Sequence, residues 1–260
     1  MSVRPAVVVL DDVAEVAAEA ARRCRALARE AIAARGRWSV ALSGGQTPRA
    51  LYRLLGDEPG AIEWSCVDVL FGDERCVPPT HPDSNYAMAK QALLARVPIS
   101  PSRVHRMRGE SDDPASAAAE YEADLRATLG PDGLLDLALM GMGSDGHTAS
   151  LFPGDAALGE RRRLCIAAFV PGLDAPRITL TYPLFENARE ILFLVTGQDK
   201  AEALNAVLHG PRDPQRLPSQ PIVHRDGDGD GDARRRQRPR RTPSVTILCD
   251  RAAACELPTT

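Results

Sequence analysis

A chain of 260 residues, 44% apolar and 26% charged, is long enough to bury the core of one large α/β domain or two small ones. Its net charge of −3, from 32 basic and 35 acidic residues, leaves no global basic excess to hold a nucleic-acid backbone. Aromatics make up only 4%, so the core must rest on Ala, Leu and Val, which suits helices packed on a parallel sheet.

The six cysteines, Cys24, Cys66, Cys76, Cys165, Cys249 and Cys255, form no C-x-x-C pair, and no His or Cys cluster has zinc spacing. Isolated reduced thiols and no metal site are therefore expected. The apolar run Ala6 to Leu10 is cut off by Asp11 and Asp12, too soon for a signal peptide, and no apolar stretch approaches membrane-spanning length. The expected setting is cytoplasmic, with neither a membrane nor a nucleic acid as partner.

In chain order, Val7 to Leu10 predicts a short strand, and Asp12 a cap for an Ala-rich helix to about Arg35. Trp38 to Leu42 predicts a second strand running into Ser43-Gly-Gly-Gln-Thr-Pro48, where Thr47 reads as the cap and Pro48 as the first turn of a helix continuing from Arg49 to Leu55. Val67 to Phe71 is a third strand ending at Gly72-Asp-Glu-Arg75, and Ser84 and Asn85 open a helix through Leu94. Ala115 to Leu129 reads as a helix, and Leu134 to Met140 as a central parallel strand because its apolar run is nearly continuous. Strands are expected at Arg177 to Thr181, Ile191 to Val195 and Val245 to Leu248, and helices at Asp199 to Leu208 and Ala252 to Leu257. This alternation predicts an α/β fold, a doubly wound, mainly parallel sheet with helices on both faces and functional loops at the strand C-termini.

Arg225 to Arg241, RDGDGDGDARRRQRPRR, breaks the pattern. Asp226, Asp228, Asp230 and Gly231 have the spacing of a calcium loop, but the twelfth position is Gln237 where a bidentate Glu is needed. The segment reads as a flexible surface insertion.

Four segments carry the candidate chemistry. Ser43, Gly44, Gly45 and Thr47 lie where a strand meets a helix, so bare N–H groups, hydroxyls and the helix dipole converge as they would around a phosphate. A plain capped turn uses the same residues. Gly72-Asp-Glu-Arg75 offers Arg75 for an anionic oxygen and Asp73 to orient it, or else a surface ion-pair turn. Gly141-Met-Gly-Ser-Asp-Gly-His-Thr148 follows the most buried strand: His147 can take a proton from water and Asp145 can orient the imidazole. Lys200, early in a helix, opposes the dipole there, which a bound anion would explain.

Together, ALSGGQTPRALYRLL (41–55), VLFGDERCVPPTHPDSNYAMAKQALL (69–94), LDLALMGMGSDGHTASLFPG (135–154) and RITLTYPLFENAREILFLVTGQDKAEAL (177–204) make the chain resemble the 6-phosphogluconolactonase family, within the larger group that includes glucosamine-6-phosphate deaminase. The resemblance implies a NagB/RpiA-like fold over one sugar-phosphate hydrolase domain (1–260), acting as a monomer or weak dimer. It also implies hydrolysis of 6-phosphoglucono-δ-lactone to 6-phosphogluconate, the second step of the oxidative pentose phosphate pathway, without metal or organic cofactor. Carried onto this chain, the phosphate sits on Ser43, Gly44, Gly45 and Thr47 opposite Lys200, and Arg75, with Asp73 beside it, meets the sugar or its developing carboxylate. His147, assisted by Asp145, activates water. Gln46 departs from the usual SGGSTP-like loop, and the insertion within the patchily matching C-terminal region leaves the register of the last strand open.

Two alternatives are weighed against this. A deaminase of the same group places a glutamate after the histidine, where this chain has Gly146-His-Thr-Ala-Ser-Leu-Phe-Pro153, and has DEY where this chain has Asp73-Glu-Arg75. A sugar-phosphate sensing domain follows a helix-turn-helix, for which a pattern beginning near residue 6 leaves no room.

Overall fold

In the computed structural model, which describes residues 5–131, 133–169, 176–224 and 244–258, the elements follow the predicted alternation. They run β1 (Ala6–Leu10), α1 (Val13–Arg35), β2 (Trp38–Leu42), α2 (Gln46–Asp57), β3 (Val67–Phe71), β4 (Asp73–Arg75), α3 (Asn85–Ala89), α4 (Pro114–Leu129), β5 (Leu137–Gly141), β6 (Cys165–Phe169), β7 (Pro176–Leu180), α5 (Tyr182–Phe185), β8 (Glu190–Val195), α6 (Ala201–His209), α7 (Gln220–Val223) and β9 (Ser244–Asp250).

Six strands form a parallel sheet in the order β1-β9-β8-β5-β2-β3. Strand side chains alternate between its faces. Val40, Leu42, Leu137, Leu139, Leu192 and Leu194 enter a core shared with α1 and α2, while Ala41, Ala138, Met140, Ile191 and Phe193 enter another shared with α4 and α6. The sheet is thus covered on both faces, as the apolar strands require. Winding reverses between β2 and β5: the chain steps outward from β2 to β3, then returns to β5 and proceeds the other way through β8 to β9. A crevice at the strand C-termini is expected at such a switch point.

Several boundaries differ from expectation, each for a local reason. Residues 73–75 form strand β4 rather than a turn, and residues 176–180 pair antiparallel with β4 and β6 in a separate three-stranded sheet rather than joining the parallel one. Strand β5 starts at Leu137, because Asp136 is taken up by the Ser39 amide (2.9 Å), the Ser39 hydroxyl (3.1 Å) and Arg35 (2.8 Å). Gly45, not Thr47, caps α2, with Thr47 already inside the helix. The helix opened by Ser84 widens to a π turn over Lys90–Leu94. The chain after β9 forms turns over residues 251–256 rather than the expected helix, although the Asp250 carboxylate accepts from the Ala253 amide at 2.8 Å as a helix cap would. Asp12 caps α1 as expected, accepting from the Glu15 amide at 2.9 Å. The insertion at 225–241 lies outside the described residues. Among them no helix is long and apolar enough to cross a membrane.

Candidate active site

The loops leaving β2, β3, β5 and β8, four adjacent strands, carry all four predicted segments to one edge of the sheet. The Ser43–Thr47 and Gly141–Thr148 loops flank the switch point.

In the first loop Tyr52 pins the turn: its hydroxyl donates to the Ser43 carbonyl (2.8 Å) and accepts from the Ser43 amide (2.9 Å). Gly44 packs so tightly on Asn85 that a Cβ would lie 2.1 Å from Asn85 Oδ1. Gly45 opens α2 at φ 109° with no side-chain cap, and the first turn of α2 contains no acidic residue. The amides at this helix start therefore stay free to meet an anion. The Ser43 Oγ is buried without a hydrogen-bond partner among the described residues, as fits a hydroxyl that serves a ligand. Thr47 Oγ1 lies 2.6 Å from Thr196 Oγ1, joining this loop to the one that carries Lys200. That second loop is fixed by the Asp250 carboxylate, which accepts from the Gly197 amide at 3.1 Å, and Lys200 pairs with Asp199 at 2.9 Å.

Asp73 is buried and does not pair with Arg75. Its carboxylate accepts from the Ser150 hydroxyl (2.7 Å) and from Asn85 Nδ2 (3.1 Å), so it ties the histidine loop to α3. Glu74, also buried, accepts from the amides of Asn85 and Tyr86 (2.7 and 2.8 Å) and from Ser84 Oγ (2.9 Å). Burial nevertheless outweighs these donors and pushes its carboxyl above the ordinary range. Arg75 donates from Nη1 to the Asp83 carbonyl at 2.6 Å, and its buried Nε has no partner among the described residues.

In the third loop the Asp145 carboxylate accepts from both the backbone amide (3.1 Å) and Nδ1 (2.6 Å) of His147. Burial raises the Asp145 carboxyl, but the His147 amide and imidazole outweigh it and hold it below the usual carboxylate range. The ionised Asp145 therefore fixes the proton on Nδ1 and leaves the Nε2 lone pair free. Phe152 stacks on the imidazole at 4.2 Å between centroids. Ala149 takes a left-handed φ of 49°, which folds Thr148 back against Leu151. Behind the loop, buried Ser219 donates through its amide (3.0 Å) and hydroxyl (2.8 Å) to the Gly146 carbonyl.

Sequence reasoning missed the residues that hold these loops: Asn85, Ser150, Thr196, Ser219 and Asp250. Ser219 and Asp250 stood in C-terminal matches too patchy to use. The other three are single polar residues whose partners are distant in sequence. Among the described residues no three His, Cys, Asp or Glu side chains converge as metal ligands.

The glucosamine-6-phosphate isomerase/6-phosphogluconolactonase family model matches residues 11–230. The chain is 42% identical over 195 residues to a 6-phosphogluconolactonase of Synechocystis sp., covering 74% of this chain and 80% of that one. It is 38% identical over 222 residues to one of Streptomyces coelicolor, covering 81% and 85%. In structure it is similar to 6-phosphogluconolactonase from Trypanosoma cruzi, with a TM-score of 0.82 at 28% identity, covering 100% of this chain and 99% of that one. On both sequence and fold, this chain belongs to the glucosamine-6-phosphate isomerase/6-phosphogluconolactonase family.

Proposed function

We propose that the chain hydrolyses 6-phosphoglucono-δ-lactone to 6-phosphogluconate, with His147 as general base. The observation that carries this is the 2.6 Å contact between Asp145 and His147 Nδ1, which turns Nε2 toward proton abstraction beside a loop built for an anion. The phosphate rests on Ser43, Gly44, Gly45 and Thr47 with Lys200 opposite, and Arg75 meets the lactone end. Asp73 serves this subsite from behind, by holding Ser150 and Asn85 in place.

Water attacks the lactone carbonyl carbon while His147 Nε2 takes its proton. The resulting imidazolium is stabilised by Asp145, and the negative charge on the former carbonyl oxygen is met by Arg75. Collapse of this intermediate breaks the bond from the carbonyl carbon to the ring oxygen. The ring oxygen takes the proton back from His147 and becomes a hydroxyl, and the new carboxyl group ionises to the solvent. No step calls on a metal or an organic cofactor. The same reading makes residues 1–260 one hydrolase domain that acts in the cytoplasm as a monomer or weak dimer, without nucleic acid as partner.

The test is a dehydrogenase-coupled assay on freshly generated lactone, with ammonia release from glucosamine 6-phosphate followed in parallel. Lactone hydrolysis above the spontaneous rate is expected. Ammonia release without lactone hydrolysis would overturn the assignment.

A further inference from the structure

Arg177 plays no part in the scheme above, yet it lies directly opposite Arg75. Strands β4 and β7 pair antiparallel with Arg75 facing Arg177 and Asp73 facing Thr179. Directly opposed residues, and residues two apart on a strand, share a face, so all four side chains lie on one face of the small sheet. That face meets the histidine loop, because the Ser150 hydroxyl donates to Asp73 (2.7 Å) and the Ser150 amide to Thr179 Oγ1 (3.2 Å).

Two guanidinium groups thus sit side by side next to the loop of His147, and neither has a carboxylate partner among the described residues. Among the described residues the Arg75 guanidinium bonds only to the Asp83 carbonyl, through Nη1, with its Nε buried and unpaired. Among the described residues the Arg177 guanidinium makes a single long contact, 3.5 Å, to the carbonyl of its neighbour Pro176. The nearest acid on the face, Asp73, is taken up by Ser150 and Asn85. Burial first and then the charge of Arg75 outweigh the opposing pull of Asp73 and Asp83 and hold the Arg177 pKa below the ordinary value. Like charges placed directly opposite in a sheet destabilise it, and an anion held between the two guanidinium groups would relieve that repulsion.

We infer that Arg177 and Arg75 form a two-guanidinium subsite that grips an anionic oxygen group of the phospho-sugar, and that Arg177 is a substrate-binding residue in its own right. The inference rests on the proposed lactonase reading for the identity of the ligand. Two groups of that ligand have the required chemistry: the phosphate, negative throughout, and the carboxylate that develops as the lactone opens. Paired guanidinium forks suit the oxygens of either.

The experiment compares the whole wild-type chain with Arg177→Gln and Arg177→Lys. It measures kcat and KM on the phosphorylated lactone and on unphosphorylated glucono-δ-lactone, 6-phosphogluconate affinity by calorimetric titration, and the melting temperature. Arg177→Gln should lose about tenfold or more in kcat/KM and in 6-phosphogluconate affinity, with partial recovery in Arg177→Lys. Its melting temperature should not fall, since a repulsion is relieved. A loss confined to KM and to the phosphorylated lactone places the phosphate between the arginines. A loss in kcat on both lactones places the developing carboxylate there. Unchanged kinetics and product affinity in Arg177→Gln would overturn the inference, and so would a lowered melting temperature that Arg177→Lys restores while product affinity stays at the wild-type level. Product affinity is read without turnover. A wild-type protein that failed to hydrolyse the lactone would therefore sink the proposed activity, while the titration still decided the role of Arg177.

Discussion

Phe152 lies flat against the imidazole of His147, with ring centroids 4.2 Å apart and planes at 28°. His147 is partly exposed and gains most of its orientation from two neighbours, Asp145 at one ring edge and Phe152 on one face. Phe152→Ala leaves the hydrogen bond but removes the wall that keeps the ring from rocking about it. An aromatic stack is worth about 1 kcal/mol, so kcat/KM should fall about fivefold to tenfold with the shape of the pH profile unchanged, and Phe152→Tyr should restore it. Full kcat in the alanine variant would show that Asp145 alone positions the base.

Asp145→Asn tests the tautomer. An amide in place of the carboxylate no longer demands a proton on Nδ1, so the ring can present Nε2–H to the water and lose its basic lone pair. Turnover should drop by about 10²-fold or more, and His147→Ala should remove it to the spontaneous rate, with both variants keeping the wild-type circular dichroism spectrum. Wild-type turnover in His147→Ala would sink the assignment of the base.

Gly143→Ala separates the geometry of the pair from its chemistry. A Cβ at Gly143 would lie 2.1 Å from His147 Nδ1 and 2.5 Å from Asp145 Oδ1, inside the hydrogen bond itself. Both side chains are partly exposed and can swing away, so stability should change little while activity falls as far as in Asp145→Asn. The measurement pairs thermal melting with the coupled assay. An active Gly143→Ala variant would show that the contact is dispensable.

The four candidate loops stood out because each pairs glycines or charges with the end of an apolar strand, a combination that burial alone would reject. Asp12 was legible as a cap because its partner, Glu15, is three residues away. The small sheet was not legible. Cys165–Phe169 and Pro176–Leu180 are five-residue segments that fit a parallel or an antiparallel strand equally, and the pairing of the second with Asp73–Arg75 spans about a hundred residues. For the same reason Arg177 passed unnoticed, since only the strand register sets it against Arg75. Thr47 satisfied every local rule for a helix cap, but the free amides of Gly45 and its neighbours claimed that end of α2, leaving Thr47 to bond Thr196.

His105 gives a pH-dependent contribution to stability far from the chemistry. It stands near the N-terminal end of β3, whereas the candidate site lies beyond the C-terminal ends. Its Nε2 is 3.8 Å from Asp68 and its Nδ1 2.9 Å from Asp124, while Arg103 shares the Asp68 carboxylate at 2.9 Å. Asp68 first, against the opposing pull of burial, and then Asp124 raise the His105 pKa above its ordinary value. A group whose folded pKa is raised contributes stability that is complete below its unfolded pKa, about 6.5, and fades as pH climbs through the folded value. His105→Asn should therefore lower the melting temperature most near pH 6, with a gap that narrows steadily toward pH 8.5, while kcat at each pH stays at the wild-type level. A gap that stays constant with pH would mean that His105 acts by packing rather than by charge, and a gap that widened toward pH 8.5 would reverse the sign of the coupling.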